Sequence, residues 1–422
     1  MAGKLDIGMY RSVLAIREAY RFDIGTAFMR VFQFSITVGM VSMLTLAGYS
    51  AFWAGTVASL AALCTFVISP FVSKRIDRDG QRAIVPKAIA ITIVGLATIL
   101  ATVALEGPVW VCYVGAVLMG FLPSSPALAR ARWTYLLESG KLGERAPELK
   151  TVFSYEGIIE DIAFMVGPAF TVAVGSMVAP AAGMAVLGVL LAVGTVLLVS
   201  SRGTEPDEDF RTAQIEKAEA EAEASGPKRT QHLRSMFLES GTVRMLFFGF
   251  LLMGTYFGVL NTTEIAFTEA IGIPTAVSGA LMGSAIVSAT GGFIFGMMRI
   301  KAPVHRQYVI IGIIVGIGYT FMILIDSIPK LYAVSWIPVV FYAPFLITSS
   351  ALCQARVPKE RLTESLTWMN NGTVCGMAVG PTLAGFFIDS FGWPAGFAVG
   401  GAAAAMLAVA AALSTLLWRR KV

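Results

Sequence analysis

Residues 73–82 read SKRIDRDGQR, a stretch in which six of the ten side chains carry a charge. Long apolar runs stand on both sides of it, at residues 50–72 and 85–105. A run of about 20 apolar residues is long enough to cross the hydrocarbon core of a bilayer as a helix. The charged stretch therefore reads as a short connection between two membrane-spanning helices, with Gly80 supplying the turn.

The composition of the whole chain agrees with this interpretation. Of its 422 residues, 56% are hydrophobic and 14% are charged, whereas an ordinary soluble domain has about 25% charged residues. A soluble protein with so little charge could not cover its surface. We therefore predict an all-α membrane protein with many spanning helices.

Apolar runs of spanning length recur twelve times along the chain. We predict spans at 24–47, 50–72, 85–105, 109–129, 152–175, 179–200, 244–263, 275–298, 307–326, 332–353, 365–388 and 394–418. A long polar stretch at 201–243 separates the sixth span from the seventh. This pattern predicts two six-helix halves, residues 1–200 and 244–422, joined by a linker at 201–243.

The distribution of Lys and Arg predicts the orientation. With the N-terminus in the cytoplasm, every Lys and Arg except Arg30 and Lys330 falls in a cytoplasmic segment. Such a bias predicts that both termini of a multi-pass protein lie inside the cell, here in the cytoplasmic (inner) membrane. It also explains the net charge of +5 through anchoring beside anionic membrane lipid, so no nucleic-acid partner is expected.

Several other chemistries find no support in the sequence. Both histidines, His232 and His305, fall in predicted cytoplasmic loops, where neither is placed to act as a base inside the membrane. No phosphate-binding loop of the type G-x-x-x-x-G-K-[ST] is present. We therefore expect neither an enzyme nor a cofactor or metal site, although a membrane-embedded enzyme remains the alternative from another class.

The charged connection carries a specific resemblance. It resembles the signature loop of the major facilitator superfamily, G-x-x-x-D-R-x-G-R-R, between the second and third spans. The matching residues are Asp77, Arg78, Gly80 and Arg82. The resemblance implies a twelve-helix fold of two pseudo-symmetric halves, and it implies that these residues form a gating loop that latches the halves on the cytoplasmic side.

Other stretches extend the resemblance to permeases common in actinobacteria. They are RARW at 130–133, FSYEGIIEDIAFMVGP at 153–168, GPTLAGFFIDSFGW at 380–393 and the region of Glu264. The chain departs from the superfamily at Ser73 and Gln81 in the loop, and from the antiporter signature of span five at Thr171 and Val172.

Small residues mark places where helices could approach closely. Gly372, Gly376 and Gly380 share one face of span eleven. The Gly-Pro pair at 380–381 occupies a place in span eleven equivalent to that of the Gly-Pro pair at 167–168 in span five. Small residues let membrane helices pack backbone to backbone. The pattern fits both static packing and sliding contacts between halves that move.

Charges inside the spans are the strongest functional signal, because a charge near the bilayer centre is costly. The proton-coupling candidates are Arg30 in span one and Glu156, Glu160 and Asp161 in span five. We expect Glu160 to be the best of them, since it lies deeper than Glu156 and on a different face from Asp161. The alternative is a structural ion pair of Glu156 or Glu160 with Arg30, Arg130 or Arg132.

Uncharged polar and aromatic side chains in the spans are candidates for a substrate cavity. They are Gln33, Tyr256, Asn261, Tyr342, Trp368, Asn370 and Asn371. A cavity with these walls would be mostly apolar, with few charges to hold a sugar or an anion.

These features predict a monomeric secondary transporter that uses protons to export a small amphipathic or drug-like solute by alternating access. Uptake of a small nutrient, proton-coupled or facilitated, remains open. The sequence does not specify the substrate.

Overall fold

The structure, a computed structural model, describes residues 8–143, 146–213, 216, 236–298, 300–357 and 361–419. The regular elements in these ranges are all helices. Those of the first 200 residues are α1 Gly8–Leu14, α2 Tyr20–Leu46, α3 Ala51–Asp79, α4 Gln81–Ala104, α5 Trp110–Met119, α6 Ser125–Glu138, α7 Leu149–Met177 and α8 Ala182–Ser200.

The remaining helices follow the linker. They are α9 Met236–Glu239, α10 Gly241–Ala270, α11 Ala276–Met297, α12 Val304–Thr320, α13 Ile328–Trp336, α14 Tyr342–Arg356, α15 Leu362–Phe391 and α16 Trp393–Arg419. Two 3₁₀ turns, Phe321–Leu324 and Pro338–Phe341, extend α12 and join α13 to α14. Most of the Ala/Glu-rich part of the linker lies outside the described residues.

The predicted all-α membrane fold is confirmed. Within the described residues, eleven helical segments are long and apolar enough to cross a membrane, counting Ile328–Arg356 as one. The predicted fourth span is different, because it is not one continuous helix over 109–129. The apolar helix α5 ends at Met119 and α6 begins at Ser125. Pro123 lies in the break, where it lacks an N–H group and disfavours helical geometry in the residue before it.

The charged stretch at 73–82 is helical rather than a loop. Helix α3 continues through it to Asp79, and α4 begins at Gln81. Gly80 alone makes the turn, with φ of 92°. This is a left-handed conformation that glycine adopts without steric penalty.

The chain forms two compact units. The first contains the residues up to Gly39, Leu63–Thr171 and the segment from Ala181 into the linker; the second contains Met40–Ala62, Val172–Pro180 and the chain from Met236 onward. These boundaries differ from the sequence halves 1–200 and 244–422, whose division stays a prediction.

The glycine face of α15 packs within the second unit against α10. A Cβ atom at Gly372 would lie 2.4 Å from the Phe247 carbonyl oxygen, and one at Gly376 would lie 2.2 Å from that of Leu251. Both distances are too short for any side chain. The small residues therefore bring the two backbones into contact, as the sequence predicts.

The same helix, α15, also packs within the second unit against the start of α3. The Asp389 carboxylate accepts hydrogen bonds from the backbone N–H groups of Ala51 and Phe52, both at 3.0 Å. Helix α3 has no acidic residue of its own in its first turn. Asp389 therefore satisfies two of the amide groups that every helix N-terminus leaves open, and its charge complements the helix dipole.

Candidate functional site

A cluster of buried charged side chains lies inside the first unit. Arg30 is fully buried on α2, and Glu156 on α7 is 1% exposed. Asp23, also on α2, is 7% exposed, and Trp133 on α6 is fully buried between the acidic groups. We refer to these four residues as the charge cluster.

Hydrogen bonds join all four members. The Arg30 guanidinium forms an ion pair with the Glu156 carboxylate and donates to the Glu156 backbone oxygen at 3.4 Å. The indole N–H of Trp133 donates to Asp23 Oδ1 at 3.0 Å and to Glu156 Oε1 at 2.9 Å. Because the two carboxyl groups share one donor, they lie close to each other.

Local structure explains how these residues meet. Asp23 and Arg30 are seven residues apart on α2, which is nearly two turns and places them on one face. Helix α6 is fixed to α2 at its start, since Gln33 Oε1 accepts from the Ser125 N–H at 3.1 Å and from its hydroxyl at 3.0 Å. Gln33, predicted to line a cavity, thus holds the helix that carries Trp133.

The cluster contains two acidic groups and one cation. If both carboxyl groups were ionised, two negative charges would face each other beside a single guanidinium. The single guanidinium can balance the charge of only one of them.

The order of burial in span five is the reverse of the predicted one. Glu156 is buried, whereas Glu160 forms a 2.8 Å ion pair with Arg130 in which the two side chains are 32% and 44% exposed. Asp161 is exposed. Residues four apart on a helix differ by about 40° in direction. That rotation is enough for α2 and α6 to cover Glu156 while Glu160 stays partly exposed.

Within the predicted gating loop, the described ion pairs involve Asp79 rather than Asp77. Asp77 is exposed, and it is Asp79 that accepts hydrogen bonds from Arg78 at 2.8 Å and Arg75 at 3.1 Å. The Arg82 backbone N–H donates to Glu205 Oε1 at 2.9 Å. Glu205, from the start of the linker, therefore caps helix α4 just after Gly80.

A buried arginine also joins the start of the linker to the start of α4. Arg132 is fully buried and donates at 2.7 Å to three groups: Gln81 Oε1, the Ser201 carbonyl oxygen and Thr204 Oγ1. Gln81, which stands where the superfamily signature has a basic residue, thus accepts a hydrogen bond from the Arg132 guanidinium and donates one to the Leu128 carbonyl oxygen at 3.1 Å.

The cavity candidates of the second unit do not form one group. Tyr256 stacks on Tyr319 with ring centroids 4.1 Å apart, and Tyr342 packs edge-on against Phe257 at 4.9 Å. The structure thus brings Tyr256 and Tyr342 into one aromatic cluster, because Phe257 also packs against both Tyr256 and Tyr319.

Trp368 belongs to a separate aromatic group. Its ring lies 5.0 Å from that of Phe237. Asn370 is exposed, while Asn261 and Asn371 are half-buried.

Sequence reasoning missed Asp23 and Trp133. Both had a usable signal: Asp23 stands in helical register with Arg30 at the start of the first span, and Trp133 ends the quoted RARW motif. A carboxylate in register with an intramembrane arginine is a predictable partner, but its sharing of a tryptophan with a third helix is not.

The fold and the buried charges define a multi-pass membrane protein of the transporter type. The family model of the Major Facilitator Superfamily matches residues 24–343 and 246–422. The chain belongs to this superfamily, and no curated protein matches its sequence. The closer resemblance to actinobacterial permeases stays a prediction.

Solved transporter structures share the fold. The nucleoside transporter NupG is 13% identical, with a TM-score of 0.68 over 94% of this chain and 98% of its own. The peptide transporter POT in complex with sulfate is 13% identical, with a TM-score of 0.67 over 96% of this chain and 95% of its own. At these identities the likeness concerns the fold alone.

Proposed function

We propose that this chain is a proton-coupled secondary transporter that exports a small amphipathic solute across the cytoplasmic membrane, as a monomer with both termini inside the cell. The charge cluster is the observation that supports this proposal. It places two acidic groups and one cation in a fully buried position within a membrane-spanning unit. Intramembrane ionisable groups are costly and mark proton or substrate pathways.

Glu156 and Asp23 replace Glu160 as the proposed proton carriers. Glu160 is only partly covered by protein and already pairs with Arg130 at 2.8 Å, so a cation balances its charge. Glu156 and Asp23 share the Trp133 donor, so a change in the position of α6 or α7 alters the balance between them. Coupling requires this property, because a proton must bind with different affinity in the two conformations.

We propose that the charged end of α3 and the turn at Gly80 still have a gating role, but with different contacts from those of Asp77. Asp77 is exposed, and the contacts that close this end of the first unit are those of Glu205 with Arg82 and of Arg132 with Gln81. We propose that these contacts, together with the charged end of α3, control the motion of α4.

The proposed class of solute is based on the aromatic side chains of the second unit, which would contact it. The aromatic residues of the second unit offer flat apolar walls, and few charged groups lie among them. The solved relatives are named as nucleoside and peptide transporters, which agrees with a small solute without specifying this one.

Vesicle transport tests the proposal directly. Purified protein in proteoliposomes receives an imposed pH gradient, and the accumulation of ethidium, uridine and dialanine is measured with and without it. We expect accumulation of the amphipathic cation ethidium in exchange for protons. Accumulation of uridine or dialanine together with protons would instead identify a nutrient importer.

Two variants separate coupling from folding. Glu156→Gln should abolish gradient-driven accumulation while exchange without a gradient persists, because the amide cannot carry a proton. Glu160→Gln is the matched control, with the same chemical change one turn away on the same helix. Equal loss in both variants, or none in either, would contradict the assignment of coupling to the charge cluster.

A further inference from the structure

A second buried carboxyl group lies in the other compact unit. Glu264 on α10 is 1% exposed. Its Oε1 atom accepts a 2.7 Å hydrogen bond from the hydroxyl of Ser335 on α13, which is itself 3% exposed. The proposed transport mechanism does not use this residue.

Among the described residues, Glu264 has no ion-pair partner to balance a negative charge. Within the part of the chain that the structure describes, none of the ion pairs includes it. A buried carboxylate that has only one hydroxyl as a partner is strongly disfavoured. A proton on the carboxyl group removes this cost.

Other charged groups of the second unit have partners of their own or are less buried than Glu264. Lys330 pairs with Asp326 at 2.5 Å, and both side chains are more than half exposed. Asp389 on α15 holds the first turn of α3. Glu269, at the end of α10, is half-buried.

Buried tyrosines lie on the same helix and on its neighbour. Tyr256 on α10 is about two turns before Glu264, and its ring stacks on that of Tyr319 on α12 with centroids 4.1 Å apart. Among the described residues, the buried hydroxyls of Tyr256 and Tyr319 have no hydrogen-bond partner. An unpaired buried hydroxyl destabilises the arrangement that contains it. They are expected where another arrangement of the same helices, or a bound polar group, supplies the partner.

The helix that carries Ser335 is interrupted immediately after it. Helix α13 ends at Trp336, and the 3₁₀ turn Pro338–Phe341 joins it to α14. Discontinuous helices in transporters typically form ion and substrate sites, because backbone groups and helix ends are left free at the break. Movement of α13 at this break would withdraw Ser335 and admit water to the carboxyl group.

We propose that Glu264 is a proton-binding site of the second unit, which holds its proton while Ser335 is seated against it and releases the proton to water when α13 moves away. The chemistry is the dissociation of one carboxylic acid proton and needs no other reactant. Proton binding at Glu264 stands independently of the proposed function, whereas its use for coupling rests on that function.

Infrared spectroscopy of the full-length protein in lipid vesicles tests the proposal without a substrate. A protonated carboxyl group gives a C=O stretching band that shifts in D₂O and disappears on ionisation. The spectrum of Glu264→Gln subtracted from that of the unmodified protein isolates the band of Glu264. We expect a protonated band at neutral pH that is lost in a titration toward alkaline pH.

Two results would overturn the assignment. A difference spectrum that shows only carboxylate bands at neutral pH would mean that Glu264 is ionised, and a protonated band that persists at every pH at which the protein stays folded would mean that the proton is never released. Ser335→Ala provides a second measurement should Glu264→Gln fold poorly. It should move the same band to higher frequency, because the carbonyl loses a hydrogen bond, and the band should still titrate.

The control is Glu160→Gln. Subtraction of its spectrum should give carboxylate bands only, since Glu160 pairs with Arg130 near the surface. A failure of the vesicle transport assay would leave these spectra unchanged. The proton site and the transport function can therefore fail separately.

Discussion

Glu156 in the first unit and Glu264 in the second are equally buried, at 1% exposure each, yet their surroundings differ. Glu156 has a guanidinium, an indole N–H and a second carboxyl group as neighbours. For Glu264, the hydrogen-bond partner among the described residues is the Ser335 hydroxyl. The comparison shows that burial alone does not specify what a membrane carboxyl group does, because the partner decides whether the charged or the neutral form is stable.

The two sites therefore respond to change in opposite ways. A buried ion pair loses much of its stability when one partner is removed, since a charge is left without compensation. A buried neutral acid tolerates replacement by an amide, because no charge was present to compensate. Four measurements sharpen or break this contrast.

Arg30→Gln should have the largest effect. It leaves Glu156 and Asp23 without a cation, so the free energy of unfolding should fall by about 3–5 kcal/mol. Thermal unfolding in detergent, followed by tryptophan fluorescence, measures the loss. Arg130→Gln, which removes the cation of an exposed pair, is the control and should change little. Similar stability of both variants would mean that the charge cluster is already neutral.

Glu264→Gln should change stability far less, by no more than about 1.5 kcal/mol, the net value of one hydrogen bond. The amide oxygen can still accept from Ser335. The comparison of the two sites fails if this variant is as unstable as Arg30→Gln, because Glu264 would then be an ionised group with a cation partner.

Glu160→Gln should cost less still, under about 1 kcal/mol, because its ion pair with Arg130 is partly exposed rather than buried and such pairs contribute little to stability. Proton-driven transport should remain at the level of the unmodified protein at equal expression. Loss of coupling in this variant alone would return the proton site to Glu160, as the sequence predicts.

Asp207 provides the smallest effect and a reference outside the membrane spans. The Tyr135 hydroxyl donates to it at 2.6 Å and the Phe210 N–H at 2.9 Å, and these bonds hold the pKa of its carboxyl below the ordinary value. Its contribution to docking of the linker start is therefore fully present above about pH 4 and is lost as the pH falls through the lowered pKa.

Hydrogen exchange of the Phe210 amide measures this docking. Protection should stay constant at neutral pH and decline only in acid, and Asp207→Asn should reduce it at neutral pH. A decline that begins near neutrality would show that another group controls the docking.

Parts of the fold could be predicted because their causes are local. The apolar runs predict the spanning helices, and the glycines at four-residue spacing predict the contact of α15 with another helix. The break in span four had a local signal too, in Pro123 and the Ser125–Pro126 start of α6, although the hydropathy of the run hides it. From the sequence alone, the charged stretch at 73–82 reads as a loop, because dense charge is typical of a turn. In the structure, α3 continues through it to Asp79.

The candidate site was only partly predictable. Arg30 and Glu156 are visible in the sequence as charges in apolar spans. Their ion pair joins residues 126 positions apart, and the contact of Ser335 with Glu264 joins residues 71 apart. No pattern along the chain specifies which distant side chains meet.

The sequence by itself determined that this protein spans a membrane many times and belongs with the major facilitators, because helix length, hydropathy and the signature residues are properties of neighbouring positions. The tertiary structure alone decided that Glu156 is buried and Glu160 is not, that Trp133 bridges two acids, and that the Glu264 carboxyl pairs with the Ser335 hydroxyl. The physical reason is that solvation and pairing of a charge depend on which helices cover it, and a rotation of about 40° between residues four apart is enough to change both.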